Sequence, residues 1–319
     1  MEISSKVKKI IDNTKPKVKA KMLMSPLRYP GSKRRLVDYI KESLKINDLK
    51  PSLYVEPFVG GGSVAINLLN ENLAEKVILV DRDPWIASFW QTVFFDSDWI
   101  IEQIDTIEVS LNKWYEFKNL NPSTVRDQAL TCLFLNRTSF SGILEKRAGP
   151  IGGKKQVSDY PIDCRFTQTT RNTIIQRIEQ ISQYADHVYG IWSCSWDEAF
   201  SNIRAEQQAN KLPRKDLFYY LDPPFFEDAD ALYRFYFTDE DHKALRDRLL
   251  IIEDKWLLSY DSAEQVEVLY GDAIKKRTNG PRRHHVELIY TIASVSKRKK
   301  GKEIILSNLD FLPEPQSSR

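Results

Sequence analysis

Apolar residues along this chain fall into short unbroken runs set between longer stretches with a helical period. Leu53-Tyr54-Val55 is a brief apolar run closed by Glu56-Pro57, which reads as a buried strand stopped by a proline. Gly60-Gly61-Gly62 then predicts a tight turn, and Ser63 a helix N-cap before Val64, Ala65, Ile66, Leu68 and Leu69. Lys76 to Val80 (KVILV) predicts a second buried strand ending at Asp81. Strand, glycine loop, helix and strand in that order begin a parallel α/β sheet. Residues 85–140 read as mostly helical, and 171–183 return to a helical period through Ile174, Ile178 and Ile181. Strand patterns resume at His187 (HVYGIW), then LFYYLD at 217–222, WLLSYD at 256–261 and VELIYTI at 286–292. Structure is expected to begin near Leu27, after a Lys-rich arm with no sustained apolar period.

Composition narrows the class. At 319 residues, 42% hydrophobic and 29% charged, the chain is long enough and apolar enough for a sizeable core. It shows no apolar run of the ~18 residues a membrane span needs, and no apolar segment follows Lys6, Lys8 and Lys9 as a secretory signal would. Cys132, Cys164 and Cys194 are spaced for neither a disulfide framework nor a paired metal site, which points to a reducing, cytoplasmic setting. Four histidines leave little for a His-rich metal centre, so no metal is expected. The formal charge of +3 is unevenly spread: residues 1–35 hold eleven Lys and Arg against Glu2 and Asp12, and 271–319 hold eleven against five. The middle of the chain is therefore acidic, and a polyanion would be met at the ends and at local basic stretches. Residues 141–170 are one such stretch, rich in glycine and carrying Lys146, Arg147, Lys154, Lys155 and Arg165.

Two constellations carry chemistry. In the first, Glu56-Pro57-Phe58-Val59-Gly60-Gly61-Gly62 is followed by Asp81, 21 residues after Gly60. Glycines let backbone approach a ligand closely, the next helix offers free N–H groups, and an acid at the second strand's end can accept ribose hydroxyls. The loop is not the GxGxxG form, and an acid before it suits a cationic ligand better than a pyrophosphate. In the second, Asp222-Pro223-Pro224-Phe225 directly follows LFYYL. Prolines lack an N–H, so their carbonyls are exposed acceptors. A carboxylate plus a prolyl carbonyl can accept both hydrogens of an exocyclic amine, while Phe225 offers a face to a planar base.

Leu27-Arg28-Tyr29-Pro30-Gly31-Ser32-Lys33, YVEPFVGGGSVAINL, LVDRDP, FLNRTSFSGIL, YLDPPF and FTDEDH follow one another in an order that resembles the Dam-type (D12 class, α-group) DNA adenine-N6 methyltransferases. The resemblance covers roughly residues 26–292. It implies a Rossmann-like mixed sheet carrying an inserted, mostly helical target-recognition domain. The implied division is an arm at 1–25, a discontinuous catalytic domain at 26–95 and 186–319, and an insertion at 96–185. It further implies S-adenosyl-L-methionine held by Tyr29, Lys33, Glu56, Pro57, Phe58, Gly60, Asp81 and Asp222, and a flipped adenine held by Asp222, Pro223, Pro224 and Phe225. Double-stranded DNA would be the substrate, with a companion restriction endonuclease as a further partner.

The chain departs from the family pattern in three places. Phe225 stands where tyrosine is commoner. Gly31-Ser32-Lys33 stands for the usual Gly-Lys. Ser195-Trp196 stands for an acidic-aromatic pair beside the cofactor adenine, so Trp196 is either a cofactor cover or a core residue. Asn136, Arg137, Thr138 and Ser139 lie where the family approaches DNA, but they would serve equally to order the insertion; Lys154 and Lys155 are the basic candidates for phosphates or guanine edges. Arg282-Arg283-His284-His285 reads as a charged surface loop, and the Lys297–Lys302 run as a phosphate-contacting patch or a solvated loop. Cytosine N4, adenine N6 in RNA, and a non-catalytic DNA-binding module that keeps the fold are the competing readings.

Overall fold

A computed structural model of the chain describes residues 20–226, 229–261, 264–276, 282–290 and 299–314. After a 3-10 turn at Lys33–Leu36, the helices are α1 (Val37–Ile46), α2 (Ser63–Asn70), α3 (Pro84–Phe95), α4 (Ser97–Thr106), α5 (Leu111–Asn119) and α6 (Val125–Thr138). They continue with α7 (Gln168–Ser182), α8 (Trp196–Gln208), α9 (Ala229–Leu232), α10 (Asp239–Ile251) and α11 (Glu264–Lys276). The strands are β1 (Leu53–Glu56), β2 (Lys76–Asp81), β3 (Val188–Ser193), β4 (Leu217–Leu221), β5 (Lys255–Asp261), β6 (Arg282–Tyr290) and β7 (Lys299–Ser307). No helix among the described residues is long and apolar enough to cross a membrane.

The seven strands form one sheet in the order β3-β2-β1-β4-β5-β7-β6. The first five pair in parallel, and β7 runs antiparallel between β5 and β6. The chain lays down β1, β2 and β3 toward one edge, then returns to place β4 and β5 on the other side of β1. The carboxyl ends of β1 and β4 therefore flank the point where strand order reverses, the place where open α/β sheets hold ligands.

Strand residues alternate between two apolar layers. Tyr54, Val77, Leu79, Phe218, Tyr220, Leu257 and Ile305 face the core packed by α1 to α7. Leu53, Val55, Ile78, Val80, Tyr219, Leu258 and Ile304 face the core packed by α8, α10 and α11. Strands buried on both faces read as continuous apolar runs, as the sequence did.

The structure revises several expectations. The α2 N-cap is Gly62, in a left-handed conformation (φ 62°) that favours glycine, and Ser63 is the first helical residue. Ordered contacts start before Leu27: Asn67 on α2 clasps Leu23, accepting from its N–H at 2.8 Å and donating to its carbonyl at 3.0 Å. Residues 1–19 of the expected arm, Thr291-Ile292 and Lys297-Arg298 lie outside the described residues. Arg282 to His285 belong to β6 rather than to a loop, and Lys299 to Lys302 belong to β7, a strand the apolar pattern did not reveal. The helices of 96–185 share one continuous core with the sheet: Ile104, Phe134 and Ile178 join the same cluster as Val77 and Leu79.

Asn136, Arg137, Thr138 and Ser139 close α6 and are all buried. Asn136 Oδ1 accepts from the Arg28 N–H (2.8 Å), and its amide donates to the carbonyls of Arg28 (2.7 Å) and Gly142 (2.9 Å). Arg137 donates to the Pro26 carbonyl, Thr138 to the Phe134 carbonyl at 2.6 Å, and Ser139 accepts from the Trp114 indole at 3.1 Å. Burial with these partners makes the four residues an internal clasp, the ordering role of the two that the sequence left open, and not an exposed DNA-facing surface. Asn136→Ala leaves two backbone groups of Arg28 and the Gly142 carbonyl without their partner, so it should lower unfolding free energy by about 2–4 kcal/mol. Denaturant titration reads this directly, and unchanged stability would show that water replaces the clasp.

Candidate functional site

A cavity with about 970 Å³ of free space, its mouth included, opens at the carboxyl ends of β1, β2 and β4. Tyr29, Lys33, Glu56, Phe58, Gly60, Asp81, Asp222 and Pro224 all line it. The two sequence constellations thus meet in one place. Pro57, Pro223, Phe225 and Trp196 are not among the lining residues.

Each acid is placed by its strand end and oriented by backbone. Glu56 closes β1 and is buried; its Oε2 accepts from the Tyr54 hydroxyl (2.8 Å) and the Ala65 N–H (3.1 Å). Burial pushes its carboxyl up to about 8, against the pull of those two bonds. Asp81 closes β2; its Oδ2 accepts from the Gly60 N–H (3.0 Å) and its Oδ1 from the Asp83 N–H (2.9 Å). Burial, then the charge of Asp83, raises Asp81 to about 7.

Asp222 follows β4. Its Oδ1 forms an ion pair with Lys33 Nζ at 2.8 Å and accepts from the Ser259 hydroxyl at 3.1 Å. Its Oδ2 accepts no hydrogen bond from any described residue, yet it is not enclosed. Burial pushes the carboxyl up, and Lys33 pulls it back toward the charged form. Lys33 itself is buried; it also donates to the Gly31 carbonyl (3.1 Å) and lies 3.8 Å from Glu303 on β7. Burial disfavours its charge, but Asp222 and then Glu303 outweigh that and hold the ammonium above its ordinary range.

The glycines are required sterically. A Cβ at Gly60 (φ 43°) would lie 2.6 Å from the Tyr29 ring, and one at Gly31 (φ 71°) would lie 2.8 Å from the Phe225 ring. Phe225 sits under Lys33 Nζ (5.2 Å to the ring) and edge-on to Tyr233. Behind it, Phe226 stacks on His242 at 3.7 Å, and His242 Nδ1 bonds the Tyr260 hydroxyl at 2.8 Å, which fixes the start of the loop. Trp196 is a core residue: Ser195 caps α8 in a reciprocal box with Glu198, and the indole packs edge-on against Phe200. That removes the observation that suggested a cofactor cover.

One wall was missed from sequence. Leu232, Tyr233, Arg234, Phe235, Tyr236 and Phe237 all line the cavity. Their signal was the dense aromatic run LYRFYF, which has neither a helical nor a strand period. A second missed feature is an arginine cluster beside the clasp. Arg137 feels the charges of Arg28, Arg165 and Arg177, Arg177 in turn feels Arg34, and none of the five forms an ion pair with a carboxylate among the described residues. Burial, then Arg177, Arg28 and Arg165, lowers Arg137 to about 9. Arg34 and Arg165 are exposed, as are Lys154 and Lys155. Among the described residues no group of three His, Cys, Asp or Glu side chains is arranged to hold a metal ion.

Comparison with known proteins adds three findings. The family model for D12 class N6 adenine-specific DNA methyltransferases matches residues 29–292. A type II methyltransferase, M.MjaIII, of Methanocaldococcus jannaschii is 29% identical over 133 residues, 37% of this chain and 46% of that protein. A DNA adenine methylase of Haemophilus influenzae is 32% identical over 136 residues, 40% of this chain and 44% of that protein. The matched stretches thus span less than half the length of either relative. A solved precorrin 8w decarboxylase from Methanobacterium thermoautotrophicum superposes with a TM-score of 0.32 at 11% identity, covering 88% of this chain and 91% of that one, a likeness too low to weigh.

Glu56 and Asp81 make the fold's stability depend on pH. Both are raised above the ordinary carboxylate range, so the folded chain binds more protons than the unfolded one between about pH 4.5 and pH 8. Stability contributed by the protonated forms is present at the acid end and is lost as pH rises through that window. The melting midpoint should therefore fall less steeply between about pH 5 and pH 8 in Glu56→Gln than in the parent. Identical slopes in the two would place the titration in other groups.

Proposed function

This chain belongs to the D12 class N6 adenine-specific DNA methyltransferases, and from that membership we propose that it transfers a methyl group from S-adenosylmethionine to N6 of an adenine flipped out of double-stranded DNA. The observation that carries the proposal is Asp222: Lys33 and Ser259 occupy its Oδ1 and leave Oδ2 open, in the same cavity as Asp81. The cavity offers a cationic sulfonium the carboxyls of Glu56 and Asp81, which form no ion pair among the described residues, besides Asp222 and Asp83, which are paired with Lys33 and Arg234. In this reading Asp81 accepts the ribose hydroxyls, Glu56 and Phe58 line the donor side, and Tyr29 and the glycine loop admit close approach. When bound, the cofactor supplies an electrophilic methyl that needs no metal.

The chain's own residues do the rest. Adenine N6 is a poor nucleophile because its lone pair is delocalised into the ring. Asp222 Oδ2 and the Pro223 carbonyl accept its two hydrogens, localise the lone pair, and stabilise the positive charge that grows on N6. The Lys33 ammonium, 2.8 Å from Asp222 in a desolvated site, favours the ionised form that serves as an acceptor. Pro224 stiffens the loop and Phe225 offers a stacking face. Residues 96–185 act as the recognition segment, with duplex phosphates meeting the exposed Arg34 and Arg165 of the cluster and Lys154 and Lys155.

Labelled S-adenosylmethionine with duplex DNA, followed by sequencing of modified bases, tests the reaction; label in cytosine or in RNA alone would overturn it. Asp222→Ala should lower transfer by about 10²–10³-fold, because one oriented acceptor is removed. Near-parent turnover would move the acceptor site elsewhere, and Asp222→Asn, which keeps an oxygen beside Lys33, gives the same reading if the first variant misfolds. For DNA, Arg34→Ala with Arg165→Ala should weaken binding and reduce the slope of log K against log salt by about 0.9 for each phosphate no longer neutralised. Lys154→Ala with Lys155→Ala is the matched comparison, and a parent slope in both pairs would exclude both surfaces.

A further inference from the structure

We propose that Arg234 is a positioning residue that locks the acceptor wall of the cavity onto the cofactor wall, and thereby sets how long the methyl donor stays bound. This rests on the S-adenosylmethionine reading above.

The cavity has two walls from distant parts of the chain. The glycine loop, Asp81 and Asp83 form one; the strap of Leu232 to Phe237, which leaves the Asp222–Phe225 loop through α9, forms the other. Strap and opposite wall touch through rings, Phe237 on Phe58 at 5.5 Å and Tyr233 on Tyr29 at 6.0 Å, contacts that are weakly directional. Arg234 differs. Its Nη1 lies 2.7 Å from Asp83 Oδ1, and its guanidinium lies 3.5 Å from the centre of the Trp85 ring. Ion pair and stack together fix both position and plane, which a planar guanidinium does and an ammonium does not.

The pair is also wired to the cofactor side. Asp83 donates its N–H to Asp81 Oδ1 at 2.9 Å, and Asp81 Oδ2 accepts from the Gly60 N–H at 3.0 Å. An unbroken line of hydrogen bonds thus runs from the strap, through Asp83 and Asp81, to the glycine loop. Its two side chains are nearly enclosed, one-fifth exposed for Arg234 and one-tenth for Asp83. An ion pair desolvated to this degree adds little net stability over an apolar contact, and what it adds is a defined geometry. Methyl transfer needs donor and acceptor held near contact distance, so a strut between the walls acts on that requirement. A ligand large enough to touch both walls also leaves more slowly when the walls are tied.

The test uses full-length protein without DNA. Release of S-adenosylmethionine is followed by stopped flow in the parent, Arg234→Ala, Asp83→Asn and the double variant; Asp83→Asn keeps the α3 cap oxygen but weakens the pair. Each single variant should release the cofactor about tenfold faster, and the double variant no faster than the singles, because both remove one interaction. Arg234→Lys should restore only part of the retention. In the ligand-free protein, amides of 232–237 should exchange hydrogen faster in Asp83→Asn than in the parent. Arg126→Ala, which removes an exposed pair with Asp96 outside the site, should leave release unchanged. A parent release rate in either folded single variant, or effects that multiply in the double variant, would overturn the proposal. If one variant misfolds, the other decides from the opposite wall. Failure of the parent itself to bind the cofactor would overturn the functional reading along with it.

Discussion

The Lys33 ammonium is the point on which the site depends. It is buried, charged, and shared among the Gly31 carbonyl, Asp222 and Glu303, so it ties the segment before α1 to the end of β4 and to β7. Taking that charge out of water is costly unless anions surround it, and they do. The reverse also holds. Asp222 stands in a desolvated place where a lone carboxyl would take up a proton, and Lys33 opposes that. Each favours the charged form of the other, so the segment Tyr29 to Lys33 and the end of β4 are linked by charge as well as by packing.

Around this pair the cavity is electrostatically lopsided. Glu56, Asp81, Asp83 and Asp222 line it against Lys33, Arg82 and Arg234. Burial raises all four carboxyls; Lys33 offsets it at Asp222, and Arg234 offsets it at Asp83 and less strongly at Asp81. A cationic ligand entering such a space would favour the ionised acids and draw them into charge. The basic groups lie elsewhere, in the arginine cluster and on the exposed loop at Lys154 and Lys155. The chain thus keeps its clustered carboxyls inside the cavity, apart from the exposed basic side chains of Arg34, Arg165, Lys154 and Lys155.

Strands β1 to β5 and the glycine loop were legible because doubly buried parallel strands leave continuous apolar runs, and because positive-φ turns demand glycine. The meeting of Asp81 and Asp222 was legible because both stand at the carboxyl ends of strands, the edge where α/β sheets hold ligands. Other features were not legible. The basic start of β7 at Lys299 to Lys302 hid a strand whose apolar part is only Ile304 to Leu306. Asn136 to Ser139 looked like a polar surface because polarity in sequence does not say whether the partner is water or backbone, and here it is the backbone of Pro26 and Arg28. Trp196 looked like a ring cover, but its neighbour Ser195 was a helix cap. The strap from Leu232 to Phe237 had no period at all, since its side chains answer to a cavity and not to a regular element.

The order of the strands carries a consequence for how the molecule comes into being. Strand β7 lies between β5 and β6, although it is made after both. It also brings Glu303 to within 3.8 Å of Lys33. A nascent chain grows from its amino end, so the glycine loop, Asp81 and Asp222 all leave the ribosome before the strand that completes the surroundings of the buried lysine. Until β7 slots into the sheet, β5 presents an open edge, and Lys33 has one of its two counter-charges. The two counter-charges of Lys33 are therefore together only once β7 has been made and paired.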